Sequence, residues 1–334
     1  MSEEIKKFKV TIDGKTTEVE PGTTILNAAR QIGGKSVPPA MCYYSKLENS
    51  GGRCRTCLVE VSKGSEADPR PMPKLVASCR TTVMDGMEVK NLTSEKTQEA
   101  RKAVTEFLLL NHPLDCPICD QAGECHLQDL GYEHGLQQTR NDFEKNTYDA
   151  DDLGPNIKLN MNRCILCARC VLVANQLTNT REHGILFRGD HAEISTYLNK
   201  ALDNDFIGNV IDVCPVGALT DRTARFASRV WFTKPVDATC TCSKCSGKAV
   251  LWMKGDEIVR VTARKDQYGE VEEFICNECR FEKKDVKHWN IEGPRHISRH
   301  SVISLNHYQK PEDAEVEKLE YETAKEISKK DNLE

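Results

Sequence analysis

The spacing of its cysteines constrains this chain more than any other feature. The 334 residues include sixteen cysteines, most of them in C-x-x-C pairs. Two cysteines at this spacing lie on one turn, so both thiolates can bind one metal ion or cluster. The N-terminus has neither the apolar region of a signal peptide nor an Arg-rich transit segment, so we expect the chain to stay in the compartment where it is made. Disulfides are rare in a reducing compartment, which favours metal binding.

Charge and hydropathy argue against several classes of protein. With 46 basic and 51 acidic residues the net charge is −5, which argues against nucleic-acid binding because that function needs a basic face. No apolar run approaches the length of a membrane-spanning helix. No G-x-G-x-x-G loop, Ser/His/Asp set or carboxylate pair stands out. We therefore expect no nucleic-acid partner, no transmembrane segment and no catalytic residue or complete substrate site.

Local patterns predict an α+β fold. Residues 8–19 alternate as a hairpin with Asp13 and Gly14 at its turn, and a helix capped by Thr23 or Thr24 follows. A strand, turn, strand and helix in this order suit a small sheet with a helix across it.

The rest of the chain gives weaker signals. Residues 94–110 predict a helix capped by Ser94, residues 140–160 an irregular segment and residues 248–264 a hairpin. The tail from residue 311 mixes Glu and Lys and predicts a solvated or partner-bound helix, or disorder. In the helix predicted at residues 94–110, the apolar face consists of Ala100, Val104, Phe107 and Leu108.

The first group of ligands suits a [2Fe–2S] cluster. Gly51 and Gly52 precede its C-x-x-C pair, where a loop around a cluster needs positive φ and close backbone approach. Four thiolates satisfy such a cluster, and a structural zinc ion is the alternative. The group consists of Cys42, Cys54, Cys57 and Cys79.

The second group combines one histidine with three cysteines. By spacing alone a zinc ion and an iron–sulfur cluster fit this set equally well, and a surface role for the histidine is a further alternative. The group consists of His112, Cys116, Cys119 and Cys125.

The third group has the C-x-x-C-x-x-C spacing of a ferredoxin-type [4Fe–4S] cluster. A two-cluster ferredoxin would carry another cysteine four places after the last of these, where Ala174 stands, so we expect one cluster. Cys214, followed by a proline, completes the group. Its other members are Cys164, Cys167 and Cys170.

A fourth group consists of two further C-x-x-C pairs on either side of the predicted hairpin. Four thiolates in this arrangement suit a zinc ion or a [4Fe–4S] cluster, and absence of a metal is a third alternative. Cys240 is either a substitute ligand or a spare thiol. The group consists of Cys242, Cys245, Cys276 and Cys279.

The first three groups resemble one known family, the large iron–sulfur subunit (75 kDa type) of respiratory complex I, an NADH:quinone oxidoreductase. The resemblance covers roughly residues 5–290. It is carried by Cys42-Tyr-Tyr … Gly-Gly-Arg-Cys54-Arg-Thr-Cys57, by His-x-x-x-Cys-x-x-Cys-x-x-x-x-x-Cys from His112, and by Asn162-Arg-Cys164-Ile-Leu-Cys167 with Cys214-Pro-Val-Gly-Ala-Leu-Thr-Asp. It implies one [2Fe–2S] and two [4Fe–4S] clusters bound by the first three groups, with His112 as a ligand.

This sequence departs from the family at two places. The loop before Cys79 is longer, which we attribute to the Pro-rich residues 64–74. At the fourth group the family has an iron–sulfur segment that introduces a molybdopterin-type domain. Here Ala249 stands where a third cysteine is expected, and Cys279 replaces a glycine. We expect the fourth site to hold zinc or a [4Fe–4S] cluster, and the large domain to be missing.

The resemblance also predicts a domain order. It comprises a β-grasp [2Fe–2S] ferredoxin-like domain (5–94), a helical His/Cys [4Fe–4S] segment (95–138), a ferredoxin-type [4Fe–4S] domain (139–235), a small β-rich metal-binding segment (236–290) and a charged tail (291–334).

The implied function is electron transfer from a flavin-bearing, NADH-oxidising subunit towards a quinone-proximal iron–sulfur subunit. The implied location is peripheral, on the cytoplasmic side of a bacterial inner membrane, with membrane contact only through partner subunits. One alternative is an electron-transfer subunit of an NAD-linked hydrogenase or formate dehydrogenase, although Ala174 argues against the hydrogenase. Another is a zinc-rich scaffold without redox activity.

Overall fold

The computed structural model describes residues 7–136, 138–179, 181, 183–196, 200–245 and 247–295. Within these residues helices and strands are mixed, as the predicted α+β class requires. The prediction for the tail from residue 311 lies outside the described residues. No helix in the described part of the chain is both long and apolar enough to cross a membrane.

The N-terminal region is a β-grasp sheet crossed by one helix. Its elements are β1 (Phe8–Ile12), β2 (Lys15–Val19), α1 (Ile25–Ile32), β3 (Leu58–Lys63), β4 (Val76–Ala77) and β5 (Met87–Lys90). The strand order is β2-β1-β5-β3-β4, and β1 runs parallel to β5. The side chain of Thr24 caps α1 by accepting a hydrogen bond from the Asn27 amide at 3.3 Å. The predicted hairpin and helix are both confirmed.

The next helix, α2 (Glu95–Leu109), begins at the predicted cap, Ser94. Its predicted apolar face is wrong at Phe107, which is 73% exposed, whereas Ala100, Val104 and Leu108 are half-buried and Arg101 is only 1% exposed. The Arg101 guanidinium donates to the carbonyl of Thr56 at 3.3 Å and to Oδ1 of Asn91 at 2.6 Å. The helix therefore places a polar face on the sheet, where backbone carbonyls need donors.

The central region contains three further helices around two small sheets. Its elements are α3 (His126–His134), β6 (Ala150–Asp152), β7 (Ile157–Asn160), α4 (Arg169–Gln176), β8 (His183–Leu186), β9 (Glu193–Thr196), α5 (Asn209–Val213) and β10 (Leu219–Asp221). Strands β10, β7 and β6 form one sheet, and β8 pairs with β9. The expectation of an irregular segment at 140–160 is wrong in its second half. Ile157 and Leu159 alternate there and are buried, a signal that the surrounding Asn and Asp residues conceal.

The C-terminal segment is a four-stranded antiparallel sheet with one short helix. Its elements are β11 (Lys234–Cys240), β12 (Lys248–Lys254), β13 (Glu257–Ala263), α6 (Asn277–Phe281) and β14 (Trp289–Pro294). The strand order is β13-β12-β11-β14. Strands β12 and β13 form the hairpin predicted at 248–264.

A buried ion pair joins this segment to the N-terminal region. The Glu270 side chain, 3% exposed, lies 2.8 Å from the guanidinium of Arg30 and accepts a hydrogen bond from the Ser45 amide at 2.9 Å. The Val271 amide donates to the hydroxyl of Tyr44 at 2.5 Å. These bonds place the C-terminal segment against the loop that carries Cys42.

We predict that Arg101→Leu lowers the stability of the N-terminal region. The substitution leaves the buried carbonyl of Thr56 and the side chain of Asn91 without their donors, at a cost of about 2 to 4 kcal/mol. Thermal unfolding followed by circular dichroism should show a midpoint several degrees lower. Lys102→Leu, on the exposed side of the same helix, serves as the control. Equal midpoints for the two variants would contradict the structural role of Arg101.

Candidate metal centres

The first group of cysteines forms two pairs of sulfurs. Sγ of Cys57 lies 3.3 Å from Sγ of Cys79, and the thiol of Cys42 is hydrogen-bonded to Cys54. Two pairs are the arrangement that a [2Fe–2S] cluster requires, because each of its irons takes two thiolates. The hydrogen bond with Cys42 lowers the pKa of Cys54 to about 5 despite burial, while the pKa of Cys42 is raised by the same bond.

The loop around these sulfurs supplies backbone N–H donors. The Gly52 amide donates to Sγ of Cys79 at 3.2 Å, and the amides of Arg53 and Cys54 donate to Sγ of Cys42 at 3.3 Å each. Such bonds stabilise thiolates and help to set the potential of a cluster. Gly51 has φ +93°, and a Cβ there would lie 3.1 Å from Sγ of Cys79. The predicted need for glycine is confirmed at this position.

In the second group, the histidine has the properties of a metal ligand. Burial lowers the pKa of His112 to about 4, which keeps the imidazole neutral near pH 7. Its Nδ1 is buried and has no hydrogen-bond partner among the described residues. A buried nitrogen without a partner is costly unless something binds it, so the residue suits a ligand role. This observation argues against the alternative of an ordinary surface histidine.

The cysteines of the second group lie on short local elements. Cys116 begins a 3-10 turn (Cys116–Ile118), Cys119 ends it, and Cys125 precedes the first residue of α3. Burial raises the pKa of Cys125 to about 12 and also raises that of Cys119. A bound metal would replace the protons that burial otherwise retains on these thiols.

The third group surrounds an apolar cavity. Cys164 and Cys167 lie on a loop where Leu166 and Ala168 have positive φ, 52° and 62°. Burial raises the pKa of Cys167 to about 11. The cavity is lined by Leu159, Cys164, Ile165, Cys167, Ala168, Cys170, Ile194, Cys214, Val216, Ala218 and Leu219. All four predicted ligands therefore face one water-poor space, as a [4Fe–4S] cluster requires.

One arginine connects the first group to the third. Arg169, within the C-x-x-C-x-x-C loop, donates to the carbonyls of Tyr43 at 2.6 Å and Ala40 at 3.0 Å, beside Cys42. It also donates to the carbonyl of Val213, just before Cys214, at 3.3 Å. We did not identify this residue from the sequence. Its position between two cysteine ligands was the available signal.

The loops that carry the second and third groups are in contact. A Cβ at Gly217 would lie 2.3 Å from Sγ of Cys119, so this position has no room for a side chain. Nearby, the buried guanidinium of Arg163 donates to the carboxylate of Asp115, with Nε 3.1 Å from Oδ2. Arg163 precedes Cys164 and Asp115 precedes Cys116, so this ion pair fixes the two ligand loops against each other.

The fourth group is more compact than the others. In the described part of the chain, four of its cysteines have sulfurs that all lie within 4.8 Å of one another, namely Cys240, Cys242, Cys245 and Cys279. Sγ of Cys276 lies 3.7 Å from that of Cys242 and 3.6 Å from that of Cys245. Cys240 and Cys279 form a disulfide. The structure thus brings all five cysteines predicted for this site together.

Comparison with protein-family models gives three matches. Residues 6–94 match a 2Fe–2S iron–sulfur cluster binding domain, and residues 101–140 match the NADH-ubiquinone oxidoreductase-G iron–sulfur binding region. Residues 154–220 match the ferredoxin-like domain of NADH-quinone oxidoreductase subunit 3. Each match contains one of the first three groups of ligands, and the fourth group follows the last match.

Two curated relatives are similar over most of the chain. It is 38% identical over 288 residues to the G subunit of NADH-quinone oxidoreductase from Rickettsia bellii, and the alignment covers 86% of this chain and 40% of that protein. It is 39% identical to the NADH-ubiquinone oxidoreductase 75 kDa subunit of Reclinomonas americana, covering 85% and 39% respectively. The chain therefore spans about two fifths of the length of these relatives.

A solved structure supports the fold. A chain of an NAD⁺-reducing [NiFe]-hydrogenase in the H2-reduced state is 28% identical, with a TM-score of 0.57, and the alignment covers 67% of this chain and 91% of that one. Together, the fold, the buried cysteine groups and the family matches define an iron–sulfur protein with 2Fe–2S and 4Fe–4S domains. Across the part that it spans, the chain is similar to the large iron–sulfur subunit of NADH-quinone oxidoreductase, known as the G or 75 kDa subunit.

We predict that Gly51→Ala removes the [2Fe–2S] cluster from the purified chain. The new methyl group would contact Sγ of Cys79, and the positive φ adds about 1 kcal/mol of backbone strain. Gly14→Ala is a matched control, because Gly14 also has positive φ but a Cβ there would meet no atom within 4 Å. Electron paramagnetic resonance of the reduced protein should show the [2Fe–2S] signal in the control alone. A full signal in Gly51→Ala would contradict the contact.

Proposed function

We propose that this chain passes electrons through protein-bound iron–sulfur clusters, from a flavin subunit that oxidises NADH towards a quinone-proximal iron–sulfur subunit. One observation carries the proposal: buried cysteines of all four groups belong to a single core, with Cys54, Cys125, Cys167 and Cys276 among its members. Clusters bound within this core would be joined by packed protein rather than separated by solvent. The names of the relatives, all subunits of NADH-oxidising complexes, support the direction of transfer.

The proposed ligands are those that the spacing indicated. The first group would bind a [2Fe–2S] cluster, and the second and third groups one [4Fe–4S] cluster each. The paired sulfurs, the unpartnered Nδ1 of His112 and the cavity lined by four cysteines support these assignments. The domain boundaries at residues 94 and 138 remain part of the proposal. They fall next to α2 and after α3, between the groups rather than within them.

When bound, such clusters each take up and release one electron. The chain's own residues exclude water from the sulfurs, donate amide hydrogens to them and supply a buried positive charge at Arg169. The amide hydrogens and the positive charge stabilise the more negative, reduced state of a neighbouring centre, whereas exclusion of water disfavours it. A neutral imidazole in place of a thiolate at the second group would also favour the reduced state.

Exposed apolar side chains beside the second group support a partner surface. Leu114 is 79% exposed, Ile118 62% and Tyr132 78%, and all three lie on or next to the segment that carries these ligands. Exposed apolar groups at one place favour contact with another protein. In the proposed complex the chain would reach the membrane only through its partner subunits, on the cytoplasmic side of a bacterial inner membrane.

A hydrogenase-linked role is the second candidate, favoured by the structural similarity to the hydrogenase chain. Both candidates share electron transfer from or to a nicotinamide cofactor and differ in the final partner. Quinone reduction or hydrogen-dependent NAD⁺ reduction by the complex purified with this chain would distinguish them.

We predict that Cys167→Ser separates NADH oxidation from quinone reduction. A hard oxygen replaces a soft thiolate poorly at iron, so one [4Fe–4S] cluster should be lost and transfer interrupted. The NADH:quinone activity of membranes containing the variant complex should fall by about tenfold or more. They should retain NADH:ferricyanide activity, which needs the flavin subunit alone. Unchanged quinone reduction with one cluster missing would refute a place for this site in electron transfer.

We also predict that His112→Cys retains a cluster and lowers its potential. The added thiolate makes the cluster more negative and so disfavours reduction. A redox titration monitored by low-temperature electron paramagnetic resonance measures the midpoint. A midpoint equal to that of the unmodified protein would show that His112 is not a ligand.

A further inference from the structure

We propose that the fourth group binds a single zinc ion, with Cys242, Cys245, Cys276 and Cys279 as its ligands. The spacing of the cysteines left zinc and a [4Fe–4S] cluster open, and no family match extends to this segment. The distances between the sulfurs separate the two alternatives.

The sulfurs lie as close together as one tetrahedral ion requires. Thiolates about 2.3 Å from one zinc ion lie about 3.8 Å from each other, whereas thiolates on a [4Fe–4S] cube bind four different irons and lie on the order of 6 Å apart. Among the three sulfurs that are free thiols in this structure, Sγ of Cys242 is 3.4 Å from that of Cys245 and 3.7 Å from that of Cys276, and Sγ of Cys245 is 3.6 Å from that of Cys276. Sγ of Cys279, which is bonded to Cys240, lies 3.2 Å from that of Cys242 and 3.8 Å from that of Cys245. A cube does not fit within these distances.

The backbone presents the four sulfurs as two knuckles. Cys242 and Cys245 lie on the turn between β11 and β12, where the Cys245 amide donates to Sγ of Cys242 at 3.4 Å. Cys276 caps α6 and Cys279 lies on its first turn, and both are fully buried. Two such knuckles with no open position form a closed structural site. Thiolate ligands in a tetrahedron favour zinc, which binds more tightly than Fe²⁺ in comparable sites.

Cys240 is the fifth sulfur of the site and forms a disulfide with Cys279. A disulfide sulfur cannot serve as a thiolate, so the ion binds the reduced form. A dithiol reductant supplies the two electrons and two protons that convert the bond into two thiols. Zinc then displaces the proton of the Cys279 thiol, as it does at the other three cysteines. Cys240 is left as a neighbouring thiol.

The position of the site indicates its role. Arg280, next to Cys279, forms a buried ion pair with Asp212 and donates to Asn209 at 3.0 Å. Both partners lie on α5, which leads directly to Cys214. The zinc ion would therefore fix α6 and, through Arg280, the helix that positions a ligand of the third group.

The test measures zinc and iron separately on the full-length chain, purified anaerobically with a dithiol reductant. We expect about one zinc ion per chain beside the iron, and zinc-edge X-ray absorption showing four sulfurs at about 2.3 Å. A chain without zinc, or with about four additional irons and sulfides, would overturn the proposal. Because the two metals are counted independently, failure of the proposed electron transfer would appear in the iron and failure of this proposal in the zinc.

Two cysteine variants test the ligand set. Cys276→Ser should lose the zinc and keep the iron of the first three groups, which also shows that the variant is folded. Cys240→Ser should keep the zinc, because this sulfur is not a proposed ligand. Zinc retained in Cys276→Ser, or lost in Cys240→Ser alone, would overturn the assignment. If Cys276→Ser fails to fold, the metal content and absorption spectrum of the unmodified chain still decide the question.

Discussion

Burial of sulfur is the constraint on which the rest of this structure depends. Thiols removed from water resist ionisation, and burial raises the pKa of Cys125, Cys167 and their neighbours. Without metal, so many buried thiols contribute little to stability, and a small apolar core must hold the fold. With metal, the protons leave and each group becomes a crosslink between distant parts of the chain. Folding and metal binding would therefore be coupled in the proposed holoprotein.

The loops meet this constraint by placing backbone and arginine groups around the sulfurs. Gly51 and Gly217 leave room where sulfur lies within contact distance. Arg169 bonds to carbonyls beside two different groups and Arg163 joins two ligand loops, so neither group of ligands can move alone. Buried charges of this kind are costly unless their donors find partners, and here the carbonyls and the carboxylate of the ligand loops accept hydrogen bonds from Arg169 and Arg163. The positive charge of these arginines would also stabilise the reduced clusters, which carry more negative charge than the oxidised ones.

Several features that depend on local spacing could be predicted from the sequence. The hairpin at residues 8–19, the caps of α1 and α2, and the C-x-x-C pairs follow from short-range patterns. Contacts between distant segments could not be predicted. The polar face of α2 exists because Arg101 meets carbonyls of another element, and Glu270 pairs with Arg30 from the opposite end of the described chain. Neither pairing leaves a periodic signal, since each involves a single side chain. The proposal of zinc rather than a cluster at the fourth group likewise rests on distances that spacing does not contain.

The central claim is that three of the four groups bind clusters of two different kinds. Mössbauer spectroscopy of the oxidised chain, purified anaerobically from cells grown on ⁵⁷Fe, measures this most directly because it counts iron by cluster type. The account predicts [2Fe–2S] and [4Fe–4S] iron in a ratio of about one to four. Iron of one cluster type only, or protein in which zinc replaces iron at all four groups, would contradict it.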